Sequence, residues 1–194
     1  MKRRPLLAWT ALGLGAVGAG LLAYRSQQSK NAPATDLPAT AASATTAVDT
    51  AQAAADWWQT PFATLDGPPL VPIQRFGGRP LLLNFWATWC PPCVKELPDI
   101  AQFLQEASAQ HWQGLALAVD EAQAVRDFLT RTPVHLPIAL AGAPGIALSR
   151  GLGNTRGGLP FSVAFDAQGR LFWRKLGAAH RDELHQMARQ LSST

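Results

Sequence analysis

The chain has 194 residues, of which 47% are hydrophobic and 15% charged, enough for one compact domain with extra segments but not for two full domains. Its formal net charge of +4 is concentrated near the N-terminus, where five of the 17 basic residues lie: Lys2, Arg3, Arg4, Arg25 and Lys30. From Asp56 to Thr194, 12 basic residues stand against 11 acidic ones without a basic run, which argues against nucleic acid as a partner.

The first predicted element is an apolar segment, residues 6–24, in which Thr10 is the one clearly polar side chain. At 1.5 Å per residue it reaches roughly 28 Å, enough to cross a bilayer. Basic residues at positions 2–4 precede it, so the positive-inside rule places the rest of the chain beyond the membrane. A cleaved signal peptide is the alternative, although its apolar core is usually shorter. Residues 1–25 are therefore a predicted anchor or signal, with a single pass through the inner (cytoplasmic) membrane and a periplasmic domain.

The next segment, residues 26–55, consists largely of Ala, Thr, Ser, Gln and Pro and has almost no large apolar side chain. Such a segment buries too little surface to offset the entropy cost of ordering. We predict a flexible linker in which alanine-rich parts are transiently helical. As a coil it would let the domain move on the order of 30 Å from the bilayer. The folded domain is predicted to cover residues 56–194.

The folded domain begins with two short apolar runs, residues 62–67 and 70–73, separated by a turn at Asp66-Gly67-Pro68. They predict an opening β-hairpin. Residues 81–86, Leu-Leu-Leu-Asn-Phe-Trp, predict a strand buried on both faces. A helix then follows, with apolar residues at helical spacing from Leu97 to Leu104, and residues 114–119 predict a second buried strand.

The rest of the chain alternates helices and strands. Its first elements are a helix around Val125 and Phe128, a strand over residues 136–140 and a helical turn over 146–150. A hairpin follows at residues 161–165 and 171–176, with its turn at Asp166–Gly169. A closing amphipathic helix is predicted at residues 184–191. This order predicts a mixed α/β domain with helices on both faces of the sheet.

The only two cysteines, Cys90 and Cys93, are spaced C-x-x-C between a predicted strand and a predicted helix. A helix N-terminus stabilises a thiolate through free amides and the helix dipole. Cys90, at the outer end, is the predicted nucleophile, and Cys93, one turn inside, would resolve the mixed disulfide. Pro91 and Pro92 stiffen the turn and are tolerated at the first helical positions. The pattern predicts redox exchange through a Cys90–Cys93 disulfide.

Other uses of the cysteine pair remain open at this point. A purely structural disulfide would close so small a loop that it would stabilise the fold only slightly. Zinc requires further ligands, and the four histidines have no metal-binding spacing with the cysteines: His111, His135, His180 and His185. Two thiolates alone could hold copper(I), as in a copper-delivery module. We predict no metal and no cofactor.

Residues 84–98, Asn-Phe-Trp-Ala-Thr-Trp-Cys-Pro-Pro-Cys-Val-Lys-Glu-Leu-Pro, resemble the active-site segment of the TlpA/ResA-like branch of the thioredoxin superfamily. The resemblance extends more loosely from Phe62 to Leu191. It implies a thioredoxin fold with an N-terminal β-hairpin and a central insertion at residues 122–150. It also implies that a cis peptide bond precedes Pro160, which would face the cysteines and let the backbone beside Leu159 pair with a substrate chain.

The resemblance assigns supporting roles to other residues near the cysteines. Trp89 would shape the surface around Cys90, whereas Trp86 could equally be ordinary core packing. Thioredoxins proper have a buried aspartate where Asn84 stands, so the usual proton acceptor is missing. Glu96, three residues after Cys93 on the neighbouring helix surface, resembles a glutamate that ResA-like members place near the cysteines. There it would raise a thiol's pKa and relay its proton; the alternative is a solvated charge.

The direction of the redox reaction is a further prediction. Strong oxidants of the DsbA type have a histidine between the cysteines, and here both intervening residues are proline. The resemblance implies a reductant of protein disulfides, acting on apocytochrome c or on thiols of an oxidase copper site. Electrons would come from a membrane thiol donor. A DsbA-like oxidant and a copper(I)-delivery module are the alternatives.

Overall fold

The structure is a computed structural model that describes residues 39–192, with side chains from Asp49 onward apart from Ala109 and Ser192. The predicted membrane segment at residues 6–24 and the first part of the predicted linker lie outside the described residues. Within 39–192, no helix combines the length and the apolar character needed to cross a membrane.

The described residues form a five-stranded mixed sheet with the order β3-β2-β1-β4-β5. The strands are β1 (Leu81–Trp86), β2 (Gln113–Ala118), β3 (Ile138–Leu140), β4 (Phe161–Phe165) and β5 (Leu171–Leu176). Strands β1, β2 and β3 run parallel, whereas β4 is antiparallel to both β1 and β5. All six residues of the central strand β1 are buried, as its largely apolar sequence predicts. The predicted hairpin near the C-terminus is confirmed as β4 and β5.

Six α-helices accompany the sheet in the described part of the chain. They are α1 (Ala39–Gln59), α2 (Pro72–Phe76), α3 (Pro91–Glu106), α4 (Ala122–Arg131), α5 (Gly145–Gly151) and α6 (Arg181–Ser192). Leu83 of β1 packs in a cluster with Trp57 of α1, while its neighbour Leu82 packs in a separate cluster with Phe103 of α3. Because successive strand side chains point to opposite faces, helices cover both faces of the sheet. The mixed α/β prediction and the thioredoxin-like fold are confirmed.

The predicted opening hairpin is wrong in its extent. Phe62 and Leu70 exchange backbone hydrogen bonds of 2.8 Å, but they form an isolated bridge and not two strands. The second predicted strand stops at Leu70 because Pro72 begins α2. Proline cannot donate to a strand ladder, and its fixed φ suits the first turn of a helix. Ala63 instead bridges to Leu140 at the end of β3.

The described part of the stretch predicted as a flexible linker forms one continuous helix and not a transient one, since α1 begins at Ala39 and continues to Gln59. Alanine has the highest helix propensity, so a run rich in alanine and poor in large side chains can still form a helix. The C-terminal end of α1 is held by two tryptophans. Trp57 is fully buried and stacks on Phe165 with ring centroids 5.0 Å apart, and the Nε1 of Trp58 donates to the Gly169 carbonyl at 2.9 Å. The end of this helix is therefore part of the core.

Candidate functional site

The cysteine pair lies at the N-terminus of α3, directly after the carboxyl end of β1. Cys90 is the N-cap residue, and its Sγ accepts a hydrogen bond from the Cys93 amide at 3.3 Å. The two sulfurs are joined as a disulfide of 2.01 Å. Cys90 is 5% exposed and Cys93 is fully buried. The outer sulfur is therefore the one a partner can reach, and the free amides of the helix end favour a negative charge on it.

A hydrogen-bonded contact with the next strand holds the loop before the cysteines. Thr88 donates to Asp120 Oδ2 both from its backbone amide, at 2.9 Å, and from its hydroxyl, at 2.6 Å. Asp120 follows β2 as Thr88 follows β1, and parallel strands bring such positions to the same edge of a sheet. We did not predict this pair, although the two polar residues after neighbouring buried strands were a usable signal.

The segment before β4 lies beside the cysteines, where the resemblance places it. The Leu159–Pro160 peptide bond is cis. Leu159 packs against the cluster that contains Cys90 and Cys93. The Pro160 carbonyl accepts a hydrogen bond of 2.9 Å from the Gly177 amide just after β5, which fixes this segment to the sheet. Residues distant in sequence thus form one face with the disulfide.

The two tryptophans that flank the motif have different environments. Trp86 is fully buried and its ring lies 5.4 Å from that of Phe128 on α4, so it belongs to the core. Trp89 is 64% exposed immediately before Cys90. Pro91 and Pro92 are exposed at the first two positions of α3. Trp89 and the prolines therefore form the outer surface around the reactive sulfur.

Glu96 is not on the helix surface, and the alternative of a solvated charge is wrong. Its side chain is 1% exposed because it follows Cys93 by three residues, on the face of α3 that packs against the sheet. Asn84 Nδ2 donates to Glu96 Oε1 at 2.6 Å, and the Ala179 amide donates to Oε2 at 2.7 Å. The carboxyl is therefore held between β1 and the segment that precedes α6.

Burial makes Glu96 unusual among the carboxyl groups of the described chain. Desolvation raises the pKa of Glu96 to about 7, against the opposing effect of the hydrogen bonds from Ala179 and Asn84. Asn84 Nδ2 also donates to Ser162 Oγ at 2.9 Å, while the buried Asn84 Oδ1 has no hydrogen-bond partner. With a pKa of about 7, both protonation states of the carboxyl are populated near neutral pH.

Replacing Glu96 with glutamine is expected to remove a pH-dependent loss of stability. A folded pKa of about 7 lies above the ordinary value of 4.5, so this group stabilises the fold fully below pH 4.5 and the contribution is lost as pH rises through 7. The difference between these two pKa values corresponds to roughly 3 kcal/mol of unfolding free energy. Denaturant unfolding of the oxidised protein at pH 5 and pH 8 measures it. In the reduced protein, the same substitution should lower the thiol pKa values by removing a neighbouring negative charge.

Glu106→Gln, at the end of the same helix, is the matched control. The hydrogen bond with His185 lowers the pKa of Glu106, so its contribution to stability is present at neutral pH and lost as pH falls. The two variants should therefore change the pH profile in opposite directions. Glu96 has no role in the mechanism if Glu96→Gln and the wild-type protein show the same dependence of unfolding free energy on pH and the same thiol titration.

The geometry agrees with what comparison with known proteins finds. A model of the Redoxin family matches residues 32–191. Thiol-disulfide oxidoreductase ResA from Bacillus thuringiensis (strain Al Hakam) is 28% identical over 115 residues, which are 59% of this chain and 64% of that protein. ResA from Bacillus subtilis (strain 168) is 38% identical over 71 residues, 36% of this chain and 40% of the relative. The match thus spans slightly less than two thirds of the first relative.

Solved structures of other proteins have a similar fold. The thioredoxin-related protein from Neisseria meningitidis serogroup B superimposes with a TM-score of 0.61 at 27% sequence identity. The superposition covers 69% of this chain and 99% of that structure. The similarity therefore includes the whole of a related domain and is not confined to the cysteine motif.

Proposed function

Because the chain belongs to the Redoxin family, in the TlpA/ResA-like part of the thioredoxin superfamily, we propose that it is a thiol:disulfide oxidoreductase acting on client proteins. The observation that carries the proposal is the position of the disulfide. The accessible sulfur of Cys90 caps a helix, and the buried sulfur of Cys93 lies one turn further in. Leu159 and the cis Pro160 lie beside them.

The exchange proceeds in two balanced steps. In the reduced protein, the Cys90 thiolate attacks one sulfur of a client disulfide, forming an intermolecular disulfide and releasing a client thiolate. The Cys93 thiolate then attacks Cys90 Sγ, which closes the internal disulfide and releases the second client thiolate. Two electrons pass from the protein to the client. Cys93 is fully buried, so its proton needs an internal acceptor, and the carboxylate of Glu96, one turn along α3, is our candidate.

We propose that the protein acts as a reductant of specific disulfides. The intervening Pro91-Pro92 pair has no histidine to stabilise the reduced thiolate, and a buried carboxylate close to a thiol disfavours its ionisation. The proposed clients are cysteine pairs of apocytochrome c or of an oxidase copper site. The proposed electron donor is a membrane thiol protein. These assignments follow the family resemblance.

The proposed location is the periplasmic side of the inner membrane. The apolar segment at residues 6–24, with basic residues at positions 2–4, supports a single N-terminal anchor. A tethered domain of this kind would work in an oxidising compartment, where disulfides persist and a dedicated reductant is needed. Trypsin treatment of intact spheroplasts tests the proposal, since the domain should be degraded only if it lies outside the inner membrane.

The reduction potential of the full-length protein tests the direction of exchange. Equilibration with glutathione buffers should give a value near that of thioredoxin, about −270 mV, because a reductant must hold its electrons at a low potential. The fraction of Cys90–Cys93 disulfide is read by alkylation and mass spectrometry. A value near −120 mV, typical of DsbA, would show that the protein is an oxidant.

A further inference from the structure

The groups that hydrogen-bond to Glu96 or to its partner Asn84 are themselves buried. Asn84, Ser162 and Ala179, which surround the carboxyl or hydrogen-bond to its partners, are each at most 1% exposed. His180 follows Ala179 directly, and its side chain is 74% exposed. The backbone that binds the buried carboxyl at Ala179 is thus followed at once by an exposed titratable side chain.

The backbone of His180 is fixed by the start of α6. The Leu184 amide donates to the His180 carbonyl at 3.1 Å, and the His180 amide donates to Glu183 Oε2 at 3.1 Å. The bond from the His180 amide to Glu183 is one half of a capping box, with His180 as the N-cap residue, and the bond from Leu184 is the first helical one. Lys175 Nζ in turn holds Glu183 Oε1 at 2.5 Å. The imidazole is therefore attached to a rigid turn whose preceding amide contacts Glu96.

Asp99 approaches the same turn from α3. It lies three residues after Glu96, and its Oδ2 is 3.7 Å from His180 Nδ1. Its side chain is 40% exposed. A protonated His180 favours the ionised form of Glu96, and an ionised Asp99 favours the protonated form. The two groups thus act on the buried carboxyl with opposite sign.

The other groups around Glu96 contribute little net charge. Asn84 on β1 and Ser162 on β4 are neutral. Lys175 on β5 and Glu183 on α6 are paired with each other, so their charges largely cancel at the distance of Glu96. Within α3, Cys93 is neutral while it is in the disulfide. His180 and Asp99 are therefore the exposed titratable groups that couple Glu96 to the solvent.

We propose that His180 and Asp99 form a proton gate for Glu96. In the oxidative half-reaction, Glu96 takes the Cys93 proton; its carboxyl O–H bond then breaks, an imidazole nitrogen of His180 gains the proton, and the imidazolium passes it to water. Asp99 stabilises the imidazolium during the transfer. The inference rests on the proposed oxidoreductase function, because only dithiol chemistry repeatedly loads this carboxyl with a proton.

His180→Ala and Asp99→Asn test the gate in the full-length protein, with His185→Ala as the matched control. His185 lies on α6, and its imidazole is paired with Glu106 at the C-terminal end of α3, with 2.7 Å between Nε2 and Oε2. The Glu96 carboxyl is titrated by carbon-13 NMR of glutamate-labelled protein. We expect His180→Ala to raise its pKa, Asp99→Asn to lower it and His185→Ala to leave it unchanged. Shifts of the Glu96 pKa in the same direction in His180→Ala and Asp99→Asn, or no shift in either variant, would overturn the gate.

Kinetics supply the second measurement. The reduced protein is mixed with oxidised glutathione at pH 7, and His180→Ala should close its internal disulfide about tenfold more slowly than the wild-type protein. Added imidazole should restore the rate, which a purely structural defect would not allow. Failure of imidazole rescue would overturn the relay role. Absence of exchange in the wild-type protein would overturn the proposed function. The carboxyl titration would still show whether His180 and Asp99 control the pKa of Glu96.

Discussion

Replacing Cys93 with serine is expected to leave the protein covalently attached to its clients through Cys90. Cys90 is the sulfur that a partner can reach, and the fully buried Cys93 is the group that releases the client. Without Cys93, the intermolecular disulfide cannot be resolved, and turnover should fall to the uncatalysed rate. Non-reducing electrophoresis followed by mass spectrometry would detect the adducts and identify the clients.

Cys90→Ser is the matched control, since it removes one sulfur from the same disulfide but leaves the buried one. It should form no adducts, and its exchange activity should also fall to background. Adducts through Cys93 alone would reverse the assignment of the two cysteines. A copper(I)-delivery module would behave differently from either expectation, because both variants would lose a thiolate ligand equally and neither would accumulate client disulfides.

Truncating Trp57 to alanine is expected to cost about 3 kcal/mol of unfolding free energy, near the lower end of the usual range for a buried tryptophan. Trp57 is fully buried, stacks on Phe165 at 5.0 Å and meets Phe62 at 6.2 Å. Its indole Nε1 has no hydrogen-bond partner in the described structure, so removing it also removes an unsatisfied donor and moderates the loss. Urea unfolding of the full-length protein provides the measurement.

Trp89→Ala makes the same chemical change on the surface. Its side chain is 64% exposed, so the free energy of unfolding should change by less than about 0.5 kcal/mol. A loss below about 1 kcal/mol for Trp57→Ala would mean that the end of α1 does not contribute to the stability of the domain. The expected contrast would instead show that the C-terminal end of α1 is part of the core of the domain.

Much of the fold follows from local patterns in the chain. Short apolar runs predicted β1 and β2, and two such runs separated by the turn at Asp166–Gly169 predicted the hairpin of β4 and β5. These predictions succeed because burial on both faces and tight turns each leave a short-range signature. The opening hairpin failed at Pro72, where a residue favourable to a helix start outweighed the apolar pattern. The helix α1 was predicted only as transient structure, because its stability depends on Trp57 and Trp58 reaching a distant part of the sheet.

The sequence alone determined the chemistry of the site: a cysteine pair after a buried strand and at a helix start, with Pro160 assigned through resemblance. It could place Glu96 on the same side of α3 as Cys93 but not show what that side packs against. Only the tertiary structure decided this, since the carboxyl meets Asn84, 12 residues away, and Ala179, 83 residues away. Burial between those partners, and not the glutamate itself, brings its pKa to about 7. Helical spacing specifies a face, whereas desolvation depends on every element that covers it.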